Sequence, residues 1–241
     1  MRIGHAVSAT TALLLAACAG DPETRLVAPS STPVTRAAAI VIVSGDNQQA
    51  KAGERLDQPL VVRVMDARGQ GVEKAAVTFE VAGDGGLNGK EFPGDSRVST
   101  HADAEGRAQV VLEPYEIGRI SVTARVESAA FAPVTFTADA AVVVVEFRSP
   151  SALGPYAAFF GPCRCTRTMN AVTVPVGTPV EWATPDGAPY TITSVSSPAP
   201  GAGFDSGTLS RGSRFRFVPT VRGTWEYEDR FSGLRARLTA T

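Results

Sequence analysis

The chain has 241 residues, room for one large domain or two small ones. Hydrophobic residues make up 44%, charged residues 20%, and the formal net charge is −1, which argues against wholesale disorder and against a basic field for nucleic acid. Glycine (23) and proline (17) are raised, and Val and Thr recur in short runs, so short strands cut by turns are expected.

The first residues read MRIGHAVSATTALLLAAC. Arg2 gives a positive start, and Ala6 to Ala17 is an apolar run too short to cross a bilayer. LAAC, at Leu15–Cys18, resembles the bacterial lipobox, in which signal peptidase cuts before a cysteine that carries lipid. The plainer alternative is a secretory signal with a chance cysteine. The resemblance implies a leader over residues 1–17 and lipidation at Cys18, whose acyl chains would hold the protein at a membrane. Ala19 follows where Asp would retain a Gram-negative lipoprotein at the inner membrane, which implies the outer membrane, on its periplasmic face or at the cell surface. No other stretch reaches about 18 apolar residues. Residues 18–37, rich in Pro, Ser, Thr and Ala without apolar period, are expected to form a flexible tether.

From Ala38 the pattern changes. AAIVIVSGD, PLVVRVMDARGQGV, AAVTFEVAGDGGL, RVSTHADAEGRAQVVLE, GRISVTARVE and APVTFTADA read as short strands with turn signals between them. Val77, Phe79 and Val81 alternate with Thr78 and Glu80. The fold class expected is all-β, two consecutive antiparallel sandwiches. The segment SGDNQQAKAGERLDQPLVVRVMDARGQGVEKAAVTFEV, followed by THADAEGRAQVVL, resembles the bacterial Ig-like domain of the invasin and intimin group. That resemblance carries Ser44-Gly45-Asp46-Asn47-Gln48, Ala52-Gly53, Pro59-Leu60, Asp66, Gly69, Phe79, Thr100, Asp103 and Gly106. It implies a first domain over residues 38–140 that serves as a rigid spacer or adhesive module. Asp66 and Asp103 read as turn formers. Calcium at Asp66, Asp84, Asp103 and Glu105 is the sharper alternative, although the spacing gives no EF-hand-like loop.

The second expected domain spans residues 141–241. NAVTVPVGTPVEWAT, APYTITSVSS, GFDSGTLSRGSRFRFVP and GTWEYEDRF followed by LRARLTAT resemble, in order, the cupredoxin or plastocyanin-like family. Val172, Val174, Gly177, Trp182, Ile192, Phe204-Asp205-Ser206-Gly207, Phe215, Phe217 and Gly223-Thr224-Trp225 carry the likeness. A blue-copper centre takes two His nitrogens, a Cys thiolate and a weak axial Met. Here the first His position is Tyr190 and the Cys position is Asp229. The second His falls on Phe231 or Ser232, and the Met on Leu234 or Arg235. Beyond the leader the chain has one histidine, His101, in the other half. An ordinary type-1 copper site is therefore not expected. Tyr190, Glu228, Asp229 and Arg230 are expected to fill the vacated place with a polar cluster.

An insert at 150–170, PSALGPYAAFFGPCRCTRTMN, holds Cys163 and Cys165, the only cysteines besides Cys18. Three readings stay open: a strained Cys163–Cys165 disulfide, thiols that are free or paired between chains, and a copper or zinc site completed by Met169. Arg164 and Arg167, if close, would lower the thiol pKa values. Tyr156–Phe160 is expected to pack as core or loop. No G-x-S-x-G, phosphate loop or H-E-x-x-H occurs, and His101 alone cannot serve a Ser-His-Asp triad. The sequence thus points to a non-enzymatic, membrane-anchored binding, adhesion or spacer protein with no cofactor, a protein or cell-surface partner and no nucleic acid. The alternative is a copper-handling or thiol-redox protein using Cys163 and Cys165.

Overall fold

The computed structural model describes residues 36–89, 96–127, 129–148, 158–160, 170–184 and 189–241. The fold is all-β, with no helix among the described residues. The N-terminal half runs β1 (Ala39–Ser44), β2 (Gln48–Ala52), β3 (Leu60–Met65), β4 (Ala76–Ala82), β5 (Gly85–Leu87), β6 (Arg97–His101), β7 (Arg107–Val110), β8 (Leu112–Pro114), β9 (Gly118–Val126) and β10 (Val134–Arg148). The C-terminal half adds β11 (Ala158–Phe160), β12 (Ala171–Val174), β13 (Val180–Ala183), β14 (Tyr190–Ser196), β15 (Asp205–Leu209), β16 (Arg214–Phe217), β17 (Gly223–Glu228) and β18 (Arg235–Ala240).

In the N-terminal half, a three-stranded sheet β1-β3-β7 faces β6, β4, β9 and the first part of β10. Period-two alternation explains why. Val62 and Val64 of β3, and Phe79, Val122 and Phe136 of the facing strands, turn their apolar sides into one cluster. Phe79 and Phe136 lie 6.5 Å apart at its centre. In the C-terminal half, a five-stranded sheet β12-β18-β17-β14-β15 faces β16, β13 and the last part of β10. Its core is aromatic: Trp182, Trp225, Tyr190, Tyr227, Phe147 and Phe159 are all buried. Ring burial of this kind is worth ~1.5–3 kcal/mol for each side chain and dominates the packing of a small sandwich.

The Ser44–Gln48 stretch has a definite job. The chain must leave the β1 sheet and cross to lie beside β10. Gly45 adopts φ +91°, and a Cβ there would sit 2.2 Å from the Pro59 carbonyl oxygen. Asp46 accepts the Thr137 N–H at 2.8 Å, which fastens the crossing to β10. The Gln48 amide donates to the carbonyls of Gly45 (2.7 Å) and Gln58 (2.9 Å), and its oxygen accepts the Gln58 N–H.

The two Asp-x-x-Gly turns are built alike. Asp66 Oδ1 accepts the N–H groups of Arg68 and Gln70, and Asp103 Oδ1 those of Glu105 and Arg107. They stack back to back. A Cβ on Gly106 would lie 2.4 Å from the Val64 carbonyl oxygen, and one on Gly71 2.3 Å from that of Glu105. Only glycine fits so close a backbone approach.

Two features differ from the sequence-based picture. The pairings β2–β10, β10–β13 and β12–β18 are parallel, among otherwise antiparallel ladders. The expected boundary after Ala140 also falls inside β10, which continues unbroken for 15 residues. The pattern changes there because Thr135, Thr137 and Asp139 alternate with apolar neighbours, whereas Val143, Val144 and Val145 are all buried.

Candidate functional site

The β17–β18 hairpin sets up the place of Asp229, Phe231, Ser232, Leu234 and Arg235, the positions that the sequence resemblance aligns with copper ligands. On β17, Trp225 and Tyr227 face the core while Glu226 and Glu228 face out. On β18, Ala236, Leu238 and Ala240 face in and Arg235 and Arg237 face out. Alternation therefore sends Glu228 to Arg235 (3.2 Å) and Glu226 to Arg237 (3.3 Å), two exposed cross-strand pairs worth little each. The next residue, Asp229, leaves the strand pointing inward and is 1% exposed.

Asp229 is the hub. Its Oδ1 accepts the backbone N–H of Thr191 at 2.8 Å and that of Phe231 at 3.3 Å. Its Oδ2 accepts the N–H of Ser232 at 3.0 Å and the Ser232 hydroxyl at 2.6 Å. Its own N–H donates to Leu234 O, and its carbonyl receives the N–H of Gly233, whose φ of +70° lets the turn close. Thr191 completes the knot: its Oγ1 accepts the N–H of Arg230 at 2.8 Å. A buried carboxylate is tolerable only when its lone pairs are met in this way. Both oxygens are engaged, and the donors come from the hairpin turn and from β14, so the carboxylate staples the turn to the neighbouring strand.

The other ligand positions are distributed differently. Ser232 joins the staple. Tyr190, at the first His position, is buried and stacks on Phe147 with centroids 4.9 Å apart and planes 13° from parallel. Arg235 lies on the outer face. Phe231 is 59% exposed at the turn, and Leu234 packs against the core. The expected polar cluster thus forms in part. Asp229 is its centre, but Glu228 faces out to Arg235. Arg230 extends to Asp205 at 3.2 Å. The Asp205 carboxyl is held below its ordinary value, chiefly by the Gly207 N–H; desolvation opposes this, and the Thr193 hydroxyl and Arg230 add to the lowering. Thr191 was not among the expected residues; it sits one position past Tyr190, and nothing in the sequence marks it.

Cys18, Cys163, Cys165 and Met169 lie outside the described residues, as do Arg164, Arg167 and Tyr156. Phe159 is described and is core: it packs on Phe147 at 5.0 Å and edge-on to Tyr227 at 5.1 Å. Asn170 closes the insert against it, its Oδ1 accepting the Phe159 N–H and its own N–H donating to Phe159 O, both at 2.9 Å. His101 is exposed at the end of β6. The acidic residues weighed for calcium are not gathered: Asp66 and Asp103 serve separate turns, and Asp84 is exposed beside β5. Among the described residues no group of three or more His, Cys, Asp or Glu side chains is placed to share a metal ion.

A second charged group lies at the junction of the halves. Glu181, buried on β13, meets Lys51 of β2 at 2.7 Å, Arg214 of β16 at 3.3 Å and Arg216 at 3.9 Å. Arg214 also pairs with Glu54. Desolvation is the largest single effect on the Glu181 carboxyl and pushes its pKa up. The Lys51 hydrogen bond and the charges of Lys51, Arg214 and Arg216 together outweigh it and hold the group below its ordinary value.

No family model and no curated protein matches this chain. Among solved structures, a purple cupredoxin from Nitrosopumilus maritimus is similar at 22% identity, over 42% of this chain and 99% of that one, with a TM-score of 0.32. A reduced amicyanin variant is similar at 15% identity over 42% and 82% of the two chains, with a TM-score of 0.31. An oxidised amicyanin variant is similar at 17% identity over the same shares, with a TM-score of 0.32. Each of these likenesses covers less than half of this chain.

Proposed function

We propose that this chain is a lipid-anchored, non-catalytic module of a bacterial outer membrane. Its N-terminal half acts as an Ig-like spacer of the invasin and intimin kind. Its C-terminal half keeps a cupredoxin frame, without resident copper, to present loops to a protein or cell-surface partner. The observation that carries the reading is the Asp229 staple. At the position where a copper thiolate would stand, a carboxylate spends both oxygens on Thr191, Phe231 and Ser232. A ligand must offer a free lone pair to an ion, and this group is committed to holding the hairpin turn. The loop frame then persists because the sandwich needs it closed, and the fold alone does not fix an activity. Anchoring rests on LAAC and Cys18.

The test has two arms on the full chain expressed in a Gram-negative host. Labelled palmitate is expected in the wild type and absent from Cys18→Ala, with the wild type in the outer-membrane fraction. Copper and zinc per chain are counted by mass spectrometry, together with free thiols at Cys163 and Cys165. Metal well below one equivalent supports the reading. About one copper or zinc per chain, lost in a Cys163→Ser/Cys165→Ser variant, would replace it with the metal-handling alternative.

A further inference from the structure

We propose that the two halves form one rigid, cooperative body coupled through β10, so that the C-terminal half neither swings nor opens independently of the N-terminal half. The inference stands on strand pairing and side-chain contacts and does not depend on the proposed role.

Three independent ties support it. The first is the backbone. Residues Val134–Ala140 of β10 pair with β9 of the N-terminal half, and Val143–Glu146 pair with β13 of the C-terminal half. On the opposite edge, Ala138–Val143 pair with β2. Val143 thus lies between Ala52 of one half and Val180 of the other. On one edge the pairing with β9 ends at Ala140 and that with β13 begins at Val143; on the other edge β2 spans this step, with a shift of register between Ala140 and Val142. The β2 edge thus backs the strand through the step between the β9 and β13 pairings, so the seam lies within a paired strand, whereas hinges use loop or element-terminal residues.

The second tie is apolar. Ala52 and Ala140, which belong to N-terminal strands, are buried in the C-terminal core, and Ile117 packs against that core too. Ala50 touches the cores of both halves. The small side chains let β2 and β10 lie close under the C-terminal sandwich. The third tie is ionic. Lys51 and Glu54, from β2 and the turn after it, reach across to Glu181 and Arg214. Glu181 is buried, so swinging the halves apart would take away its shortest ion pair, with Lys51, and leave it Arg214 and Arg216 of its own half. Linked domains commonly meet through loose polar contacts and move; here the ladder, the core and a buried charge all cross the seam.

The experiment uses the full chain and its own reporters. Both tryptophans, Trp182 and Trp225, lie in the C-terminal half, so tryptophan emission follows that half alone, while far-ultraviolet circular dichroism follows both. Phe79→Leu truncates a side chain buried wholly in the N-terminal core. The expected result is one transition at the same midpoint by both probes, lowered in Phe79→Leu by about 3–5 °C in tryptophan emission and in dichroism alike. Val62→Ala, a second N-terminal core change, gives the same test if Phe79→Leu fails to accumulate. A tryptophan transition unmoved by either variant, or two transitions in the wild type, would overturn the coupling.

Discussion

Removing the Asp229 carboxylate tests the staple where it bears most. In Asp229→Ala, the N–H groups of Thr191, Phe231 and Ser232 lose their acceptor in a site that is 1% exposed. Each hydrogen bond to a charged group contributes ~1.5–3 kcal/mol, and a stranded buried donor costs ~1–3 kcal/mol. Some donors will find water once the turn loosens, so the sum is not the sum of parts. A net loss of about 3–5 kcal/mol is expected. For a cooperative unit of this size that is a fall in midpoint of roughly 10 °C. Asp229→Asn keeps one acceptor oxygen but turns an amide donor toward the Thr191 or Ser232 donors. It is expected to lose about half as much. The assay is urea unfolding followed by tryptophan emission, with the m-value checked against wild type so that a change in midpoint reports stability alone. A loss under about 0.5 kcal/mol in Asp229→Ala would refute the staple, since that is the scale of an unremarkable surface change.

Other expectations follow from the same geometry. Phe231→Ala should change stability by less than about 0.5 kcal/mol in the same urea assay, because the ring stands in solvent; a larger loss would mean that the turn packs differently. Gly106→Ala should cost about 2–4 kcal/mol or prevent accumulation, since a Cβ at φ +78° would meet the Val64 carbonyl at 2.4 Å; wild-type midpoints would contradict the stacked turns. Trp225→Phe should lose about 1 kcal/mol, the value of the indole N–H bond to Ala202 O at 2.7 Å, beyond any packing change; circular dichroism melts suffice. The Glu181 carboxyl is held below its ordinary value of 4.5, so its ion pairs stabilise the fold above that pH and are lost as pH falls through the lowered value. The stability gap between wild type and Glu181→Gln should therefore narrow as the pH falls below the ordinary glutamate value; a gap that widens in acid would reverse the assigned sign.

Much of the architecture is legible along the chain because it is local. Alternation at Val77, Phe79 and Val81 gives a strand with one buried face. Asp66 and Asp103 announce their turns, since an Asp side chain bonds the backbone two and four residues on. Asp229 is also legible, as the residue after the GTWEYE strand, and its burial follows from the alternation of β17. What could not be read depends on distant partners. Thr191 meets Asp229 across 38 residues, and Lys51 meets Glu181 across 130. Glu181 carried one visible hint, a carboxylate between Val180 and Trp182 in a buried strand, but a lone charge does not name its partner. The unbroken run of β10 was concealed by its change of pattern at Ala140, which reads as an ending and is instead a strand passing from one sandwich into the next. Glu228 and Arg230 were expected beside Asp229 because they adjoin it in sequence; in a strand, neighbours point to opposite faces.

We propose a cupredoxin-like frame in which a carboxylate staple stands at the metal-ligand position. Its most direct test is the thermal midpoint of the full chain with copper, with zinc and with a chelator. A ligand that binds the folded chain at 100 times its dissociation constant adds ~2.7 kcal/mol, a shift of several degrees. The account predicts midpoints within about 1 °C of one another under all three conditions, which on this scale means no specific binding. A rise of several degrees with copper, reversed by the chelator, would contradict it.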